Sequence, residues 1–322
     1  MFKKILLGFS FCTLSLGAQA QIANVVIDIQ NGSNYMAMVI MKEKFWEDVA
    51  KEKGIKTTLE LNKVGGPGAA AERFLSGANQ GMTISYPLIL SLHEKTNGDT
   101  KILFGNSIIE IYLNVNNPGI KTATDFKEGN KVAVTTLNTS IQAINMRALS
   151  DKLFGDYKKL DPITVQMPHP DAFAALMAGK IDGHWASPPF SFSELKDSKV
   201  KAIAKSSDIF GPANLTAFAT SEKFCKKETK VCDALFEAHK KANDWINADF
   251  KKAAEYFAQN VGTKDTTDDY YQQFVNKDII FTPVPQGIQA YANYALKFGL
   301  IKKPLKSWKD LTLPVLHSSK GS

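Results

Sequence analysis

The chain has 322 residues, of which 44% are hydrophobic and 22% charged, a composition that excludes disordered, collagen-like and disulfide-scaffold proteins. This length is enough for two lobes of about 100 to 200 residues each. The net charge is +7, but the only arginines are Arg73 and Arg147. Because the basic excess is scattered lysine rather than an arginine-containing cluster, we expect no nucleic-acid partner.

The first twenty residues predict a cleavable secretory signal peptide. Residues 1–4 are a short basic start, residues 5–16 form an apolar run too short to span a bilayer, and Ala18-Gln19-Ala20 is a small-x-small cleavage site. We therefore expect an exported, soluble protein that begins at residue 21. An uncleaved signal anchor is the alternative.

The next part of the chain alternates predicted strands and helices. Asn24–Ile29 predicts a strand, which a polar turn and a helix ending at Gly54 follow. Further strands are predicted at residues 55–61, 82–85, 101–104 and 108–115, with a helix starting at Pro67 between the first two. This alternation favours a parallel, doubly wound α/β sheet over an all-β sandwich.

After Pro118 the same alternation restarts and predicts a second lobe. Strands are predicted at residues 131–135, 163–167, 181–186, 200–204 and 215–220. The C-terminal third is predicted to be helical, with its clearest helices at residues 238–245 and 289–298. We assign residues 21–113 and 217–322 to lobe 1 and residues 114–216 to lobe 2, joined by extended segments near residues 111–115 and 214–220.

Polar turns follow five of the predicted strands. They lie at residues 31–35, 65–68, 85–87, 135–140 and 184–188. Ligands of open α/β sheets bind beyond the carboxyl ends of the strands, where helix N-termini offer unpaired N–H groups and a partial positive charge. Each turn alone is explained by helix capping, but their repetition at successive strand ends favours a ligand-binding cleft that holds an anion without arginine.

No catalytic motif stands out in the sequence. It has no nucleophile elbow, zinc-protease helix, P-loop or dinucleotide fingerprint. His184 is a candidate ligand contact, with a structural role or an acid/base role beside Asp182 as alternatives, and His169 is expected to be mainly a helix-entry residue. We expect no enzymatic activity, no cofactor and no metal, and we expect surface positions for His93, His239 and His317.

Cys225 and Cys232 are the two cysteines that follow the signal sequence. An oxidising compartment would let this pair form a disulfide bond. Two free structural thiols remain the alternative, while a zinc site lacks nearby histidine ligands.

Three segments resemble the solute-binding proteins of nitrate/sulfonate/taurine-type ABC transporters. DFKEGNKVAV at residues 125–134 resembles the family's entry into the second lobe. AFAALMAGKIDGHWASPP at residues 172–189 resembles its Ala-Phe-x-x-Gly-x-Val-Asp-Ala segment, and FGLIKKPLKSWKDLT at residues 298–312 is similar to its closing segment. The likeness extends over nearly the whole chain after the signal sequence.

The resemblance implies a two-lobed periplasmic binding protein fold of type II, in which each lobe is a mostly parallel sheet flanked by helices. It implies a monomeric periplasmic protein that closes over a small ligand and presents it to an inner-membrane ABC permease and its ATPase. Carried over position by position, the ligand-binding residues are Asn31, Ser33, Asn34, Tyr35, Gly66, Ser85, Tyr86, Thr136, Asn138, Thr139, Ser140, His184, Trp185 and Asn214.

The sequence departs from the family in ways that bear on the ligand. Its DGHWASPP segment lacks a second tryptophan before the proline, and Arg73 and Arg147 lie inside predicted helices. These departures disfavour a strongly charged ligand such as a phosphonate. They leave open sulfonates, taurine, nitrate, small carboxylates and thiamine-precursor pyrimidines. A periplasmic sensor or partner-binding module would use the same cleft and is the alternative function.

Overall fold

The computed structural model describes residues 22–30 and 32–322. The predicted signal peptide and Asn31 lie outside these residues. The described chain forms the strands β1 (Asn24–Ile29), β2 (Thr58–Lys63), β3 (Gly81–Ile84), β4 (Thr100–Ile109), β5 (Tyr112–Val115), β6 (Val132–Val134), β7 (Thr164–Gln166), β8 (Gly183–Ala186), β9 (Lys201–Lys205), β10 (Asn214–Ser221) and β11 (Ile279–Phe281).

Helices connect and cover these strands. They are α1 (Met36–Ile40), which continues through a π-helical segment (Met41–Phe45) into α2 (Trp46–Glu52), α3 (Pro67–Leu75), α4 (Tyr86–Lys95), α5 (Ile141–Phe154), α6 (His169–Met177), α7 (Phe190–Leu195), α8 (Ser207–Phe210), α9 (Glu222–Lys227), α10 (Thr229–Ala248), α11 (Phe250–Asn260), α12 (Thr267–Val275) and α13 (Ile288–Lys297). None of the helices in the described ranges is long and apolar enough to cross a membrane.

The strands form two sheets whose parallel strands are paired in the same order. The first runs β11-β4-β10-β3-β1-β2 and the second runs β7-β6-β8-β5-β9. In each sheet a central strand pairs in parallel with the next two parallel strands, β1 with β2 and β3, and β6 with β7 and β8. An antiparallel strand, β10 or β5, follows beside β3 or β8. Most strands of each sheet therefore point the same way, and the mostly parallel α/β architecture is confirmed.

The chain passes between the sheets twice, and the two crossings touch. It leaves the first sheet after β4 and returns to it at β10, so the predicted boundaries at residues 113/114 and 216/217 fall inside β5 and β10. The sequence of an extended apolar segment does not show at which residue it stops pairing with one sheet and starts pairing with the other. This explains why the predicted boundaries differ from the ends of the strands by a few residues. One Glu110 oxygen accepts hydrogen bonds from Ser206 Oγ at 2.7 Å and from the Ser207 backbone N–H at 2.8 Å.

The C-terminal third packs on the first sheet. Cys225 and Cys232 are joined by a disulfide bond that links α9 to α10, with their Cα atoms 5.5 Å apart. His239 on α10 is fully buried and stacks on Phe104, with ring centroids 3.9 Å apart, so its predicted surface position is wrong. The reason is its spacing, because His239 follows the buried Leu235 by four residues on one helix face.

Candidate functional site

A cavity of about 510 Å³ lies between the two sheets. The segments that follow β1, β2 and β3 line it from the first sheet, and those that follow β6, β7 and β8 line it from the second. Its polar lining residues are Gln30, Asn34, Tyr35, Ser85, Ser91, Lys95, Thr135, Thr136, Thr139, Ser140, Gln142, His169, Ser187 and Thr216. The carboxyl ends of three parallel strands from each sheet thus meet at one site, as the position of the polar turns predicts.

Five helices begin at this cavity. The first turns of α3, α4, α5, α6 and α7 all supply lining residues. Proline lies in the first turn of α3, α4 and α6, where a missing N–H costs no helical hydrogen bond. Ser140 caps α5 by accepting a hydrogen bond from the Ala143 N–H at 3.1 Å. The first-turn N–H groups of these helices give the site a partial positive charge.

Charged side chains are nearly absent from the lining. Among the described lining residues, Lys95 is the only lysine, arginine, aspartate or glutamate, and it is exposed. Burial lowers the pKa of His169 to about 3, so its ring is neutral near pH 7. Burial also raises the pKa of the Tyr35 phenol, which stays protonated. The field inside the cavity therefore comes from helix ends and hydroxyl and amide dipoles.

Six of the predicted ligand-binding residues lie on the cavity wall. They are Asn34, Tyr35, Ser85, Thr136, Thr139 and Ser140. Gly66 immediately precedes the lining residues of α3, and Asn138 is exposed in the turn after β6, with a positive φ of 69°. Ser33 begins the short 3-10 helix at the end of β1, and its side chain, like Asn31, lies outside what the structure describes.

Four predicted ligand-binding residues are instead buried away from the wall. Tyr86, His184, Trp185 and Asn214 have essentially no exposed surface and are not among the lining residues. Tyr86 donates a hydrogen bond to Asn214 Oδ1 at 3.2 Å, and His184 contacts His169. Direct contact of these four side chains with a ligand would require the wall to open, so the structure gives them supporting positions.

The residue-by-residue carry-over missed Gln30, Gln142, Ser187 and Thr216 and gave His169 little weight. Ser187 belongs to the polar turn after β8, whereas the predicted residues His184 and Trp185 lie inside the strand. Gln142 is in the first turn of α5, which the rule about helix N-termini already indicates. Thr216 lies near the start of an antiparallel strand, a place that the rule for parallel strands does not cover.

A chain of hydrogen bonds runs from the cavity wall into the interior of the second sheet. Gln142 Nε2 lies 2.8 Å from Ser187 Oγ and 3.2 Å from His169 Nε2. His169 Nδ1 lies 2.8 Å from His184 Nε2, and His184 Nδ1 lies 2.6 Å from Glu194 Oε1. His184 and Glu194 are completely buried. These hydrogen bonds therefore connect polar groups in the core with Gln142 and Ser187 on the cavity wall.

The site offers no obvious place for a metal ion. In the part of the chain that the structure describes, no three His, Cys, Asp or Glu side chains come together as a metal site requires. The chain of Gln142, His169, His184 and Glu194 also lacks a nucleophile beside a base in the pattern of a catalytic triad. The arrangement is suited to holding a polar solute through many neutral hydrogen-bonding groups.

Sequence comparison identifies a family for most of the chain. A family model described as "NMT1-like family" matches residues 29–262, which is well over half of the sequence. No curated protein matches the chain significantly.

Solved structures with the same fold come from several organisms. A putative sulfonate-binding periplasmic protein from Methylobacillus flagellatus has a TM-score of 0.69 at 16% identity, covering 92% of this chain and 93% of that one. The periplasmic aliphatic sulphonate binding protein of Escherichia coli has a TM-score of 0.68 at 16% identity, covering 90% and 92%. The periplasmic nitrate-binding protein of Synechocystis has a TM-score of 0.62 at 14% identity, covering 78% and 70%. The resemblance drawn from the sequence is thus confirmed for family and fold.

Proposed function

The chain belongs to the NMT1-like family and has the periplasmic binding protein fold, and from this premise we propose that it is the solute-binding protein of an ABC importer. It captures a small anionic or polar organic solute in the cavity between its sheets and delivers it to an inner-membrane permease. It acts in the periplasm after removal of the signal sequence, and it binds its solute without converting it.

The observation that carries this proposal is the lining of the cavity from both sheets. Three strand ends from each sheet and the N-termini of helices α3 to α7 meet there. A solute held at this place contacts both halves of the protein at once and so favours the closed arrangement over an open one. A permease can then distinguish the loaded protein from the empty one by its shape.

The chemistry of the wall supports an anionic or strongly polar solute. The helix N-termini stabilise negative charge, and no acidic side chain occurs among the lining residues that the structure describes. Leu88, Phe190, Leu215 and Leu300 form apolar parts of the wall, which favours an organic solute over a bare inorganic ion. The volume of about 510 Å³ lies within the ordinary range for small-molecule sites.

A thermal-shift panel tests the proposal. The protein without residues 1–20 is heated with ethanesulfonate, taurine, nitrate, propionate or 4-aminopyrimidine. A ligand at about 100 times its dissociation constant adds roughly 2.7 kcal/mol of stability, which is readily visible as a higher Tm. The bound solute should be recovered chemically unchanged by mass spectrometry. An unchanged Tm with every solute, or recovery of a converted product, would contradict the proposal.

A further inference from the structure

The direction of the buried chain of hydrogen bonds follows from the acceptor role of the Glu194 carboxylate at its inner end and from the orientation of the Gln142 amide at its outer end. At the inner end, the Asn114 amide nitrogen donates to Glu194 Oε2 at 2.8 Å. At the outer end, the Gln142 amide nitrogen faces His169 Nε2 at 3.2 Å. An amide nitrogen only donates, so His169 Nε2 accepts and carries no proton.

The proton positions between these ends follow in turn. The neutral ring of His169 carries its proton on Nδ1 and donates it to His184 Nε2 at 2.8 Å. His184 Nε2 is then an acceptor, so its proton lies on Nδ1 and is donated to Glu194 Oε1 at 2.6 Å. The carboxylate of Glu194 is the common end of the chain, accepting from His184 on one oxygen and from Asn114 on the other.

The same direction decides what the cavity wall offers to a ligand. The second N–H of the Gln142 amide is donated to Ser187 Oγ at 2.8 Å, so the hydrogen of the Ser187 hydroxyl is left to point elsewhere. Thr135 gives its hydroxyl hydrogen to Gln142 Oε1 at 2.9 Å, so its oxygen can only accept. Both Ser187 and Thr135 line the cavity.

We propose that Glu194, His184 and His169 are positioning residues that hold the Gln142 amide in one orientation and thereby make Ser187 a hydrogen-bond donor, and Thr135 an acceptor, toward the solute. This inference rests on the proposed function and narrows its ligand: the solute places an acceptor oxygen or nitrogen at Ser187. If the Gln142 amide were reversed, the roles of Ser187 and Thr135 would be exchanged.

Nitrogen-15 NMR of the ligand-free protein without residues 1–20 tests the direction of the chain at pH 7. We expect His169 and His184 each to carry a proton on Nδ1 and none on Nε2, as the hydrogen bonds between them and to Glu194 require. A merely structural contact between the rings would not require this pair of tautomers. A proton on Nε2 of His169, or a doubly protonated His184, would overturn the inference.

Gln142→Glu reverses the direction by design, since a carboxylate can only accept. In this variant His169 should carry its proton on Nε2, and His184 should become doubly protonated between two acceptors. Gln166→Glu is the matched control, because Gln166 is exposed on β7 and should leave both tautomers as in the wild type. Unchanged tautomers in Gln142→Glu would overturn the inference, and if this variant does not fold, the wild-type spectrum decides alone.

Ser187→Ala tests the link to the solute. For the panel solute that raises the wild-type Tm, we expect binding about tenfold weaker, as the loss of one hydrogen bond to a charged or strongly polar ligand predicts. Ser198→Ala, at an exposed serine of the same lobe, is the control. Equal affinity of Ser187→Ala and wild type for this solute would overturn the inference that Ser187 donates to the solute. If no solute of the panel raises the wild-type Tm, the proposed function is contradicted, while the NMR spectra of His169 and His184 still test the direction of the hydrogen bonds.

Discussion

His239 makes the fold sensitive to acid, and His239→Phe should reduce this sensitivity. Its ring is completely buried on Phe104, its Nδ1 lies 3.1 Å from the Asn243 amide nitrogen, and its Nε2 has no hydrogen-bond partner among the described residues. Burial lowers the pKa of His239 from 6.5 to about 3. Below pH 6.5, His239 is therefore protonated in the unfolded chain but stays neutral in the folded protein. The free energy of unfolding decreases as the pH falls from 6.5 toward 3.

The size of this loss of stability follows from the difference between the pH and the pKa of histidine in the unfolded chain. At pH 5 the unfolded histidine is about 1.5 pH units below its pKa, and each unit is worth about 1.36 kcal/mol, so His239 alone costs roughly 2 kcal/mol between pH 7 and pH 5. His169, whose pKa is also lowered to about 3, adds a similar loss. His239→Phe should keep the ring stacking and reduce the loss between pH 7 and pH 5 by about 2 kcal/mol.

Urea unfolding at pH 7, 6 and 5, followed by tryptophan fluorescence, measures this difference. His317→Phe is the matched control, because it removes a histidine that is only half-buried, near the C-terminus. Asn243 retains its 2.8 Å hydrogen bond to the backbone oxygen of residue 239 in the variant, so folding at pH 7 should be preserved. If His239→Phe loses as much stability as the wild type between pH 7 and pH 5, the reasoning from burial is refuted.

Three further predictions concern other parts of the molecule. Arg73→Leu should lower the free energy of unfolding by about 3 kcal/mol in urea titrations, because it removes the 2.8 Å ion pair to the completely buried Asp28; a change below about 1 kcal/mol would contradict it. Thr139→Ala should weaken solute binding by calorimetry with little change in Tm, and equal affinity would remove this residue from the site. Iodoacetamide should label Cys225 and Cys232 in the unfolded protein only after reduction, and labelling without reductant would contradict the disulfide.

Much of the fold was predictable because its strands are short apolar runs separated by clear turns. Asn24–Ile29 was predicted with the bounds that the structure shows. The short strand β11 was missed, because its three residues lie between helices and carry no alternation. Helix α10 is longer than the predicted helix at residues 238–245. Val231, Leu235 and Ala238 are buried in its early turns at helical spacing, a pattern that the prediction overlooked.

The location of the site was predictable, but the side chains that face it were less so. The rule that ligands bind at strand ends pointed to turns that line the cavity between the sheets. Within β8, however, all four residues are buried, since β8 lies between β6 and β5 in the middle of the sheet. A strand covered on both faces shows no polar alternation, so the sequence could not tell that His184 and Trp185 are both buried and that Ser187 reaches the cavity.

Tyr291 on α13 contacts helices attached to both sheets. Its ring stacks on Phe210 of α8 at 4.0 Å, meets Tyr86 of α4 edge-on at 6.0 Å, and its hydroxyl donates to Asn145 Oδ1 of α5 at 3.1 Å. A rotation of one half of the protein against the other would have to preserve or break these contacts. Because Tyr291 lies outside the cavity lining, a substitution there changes the contact between the halves without removing a group that faces the solute.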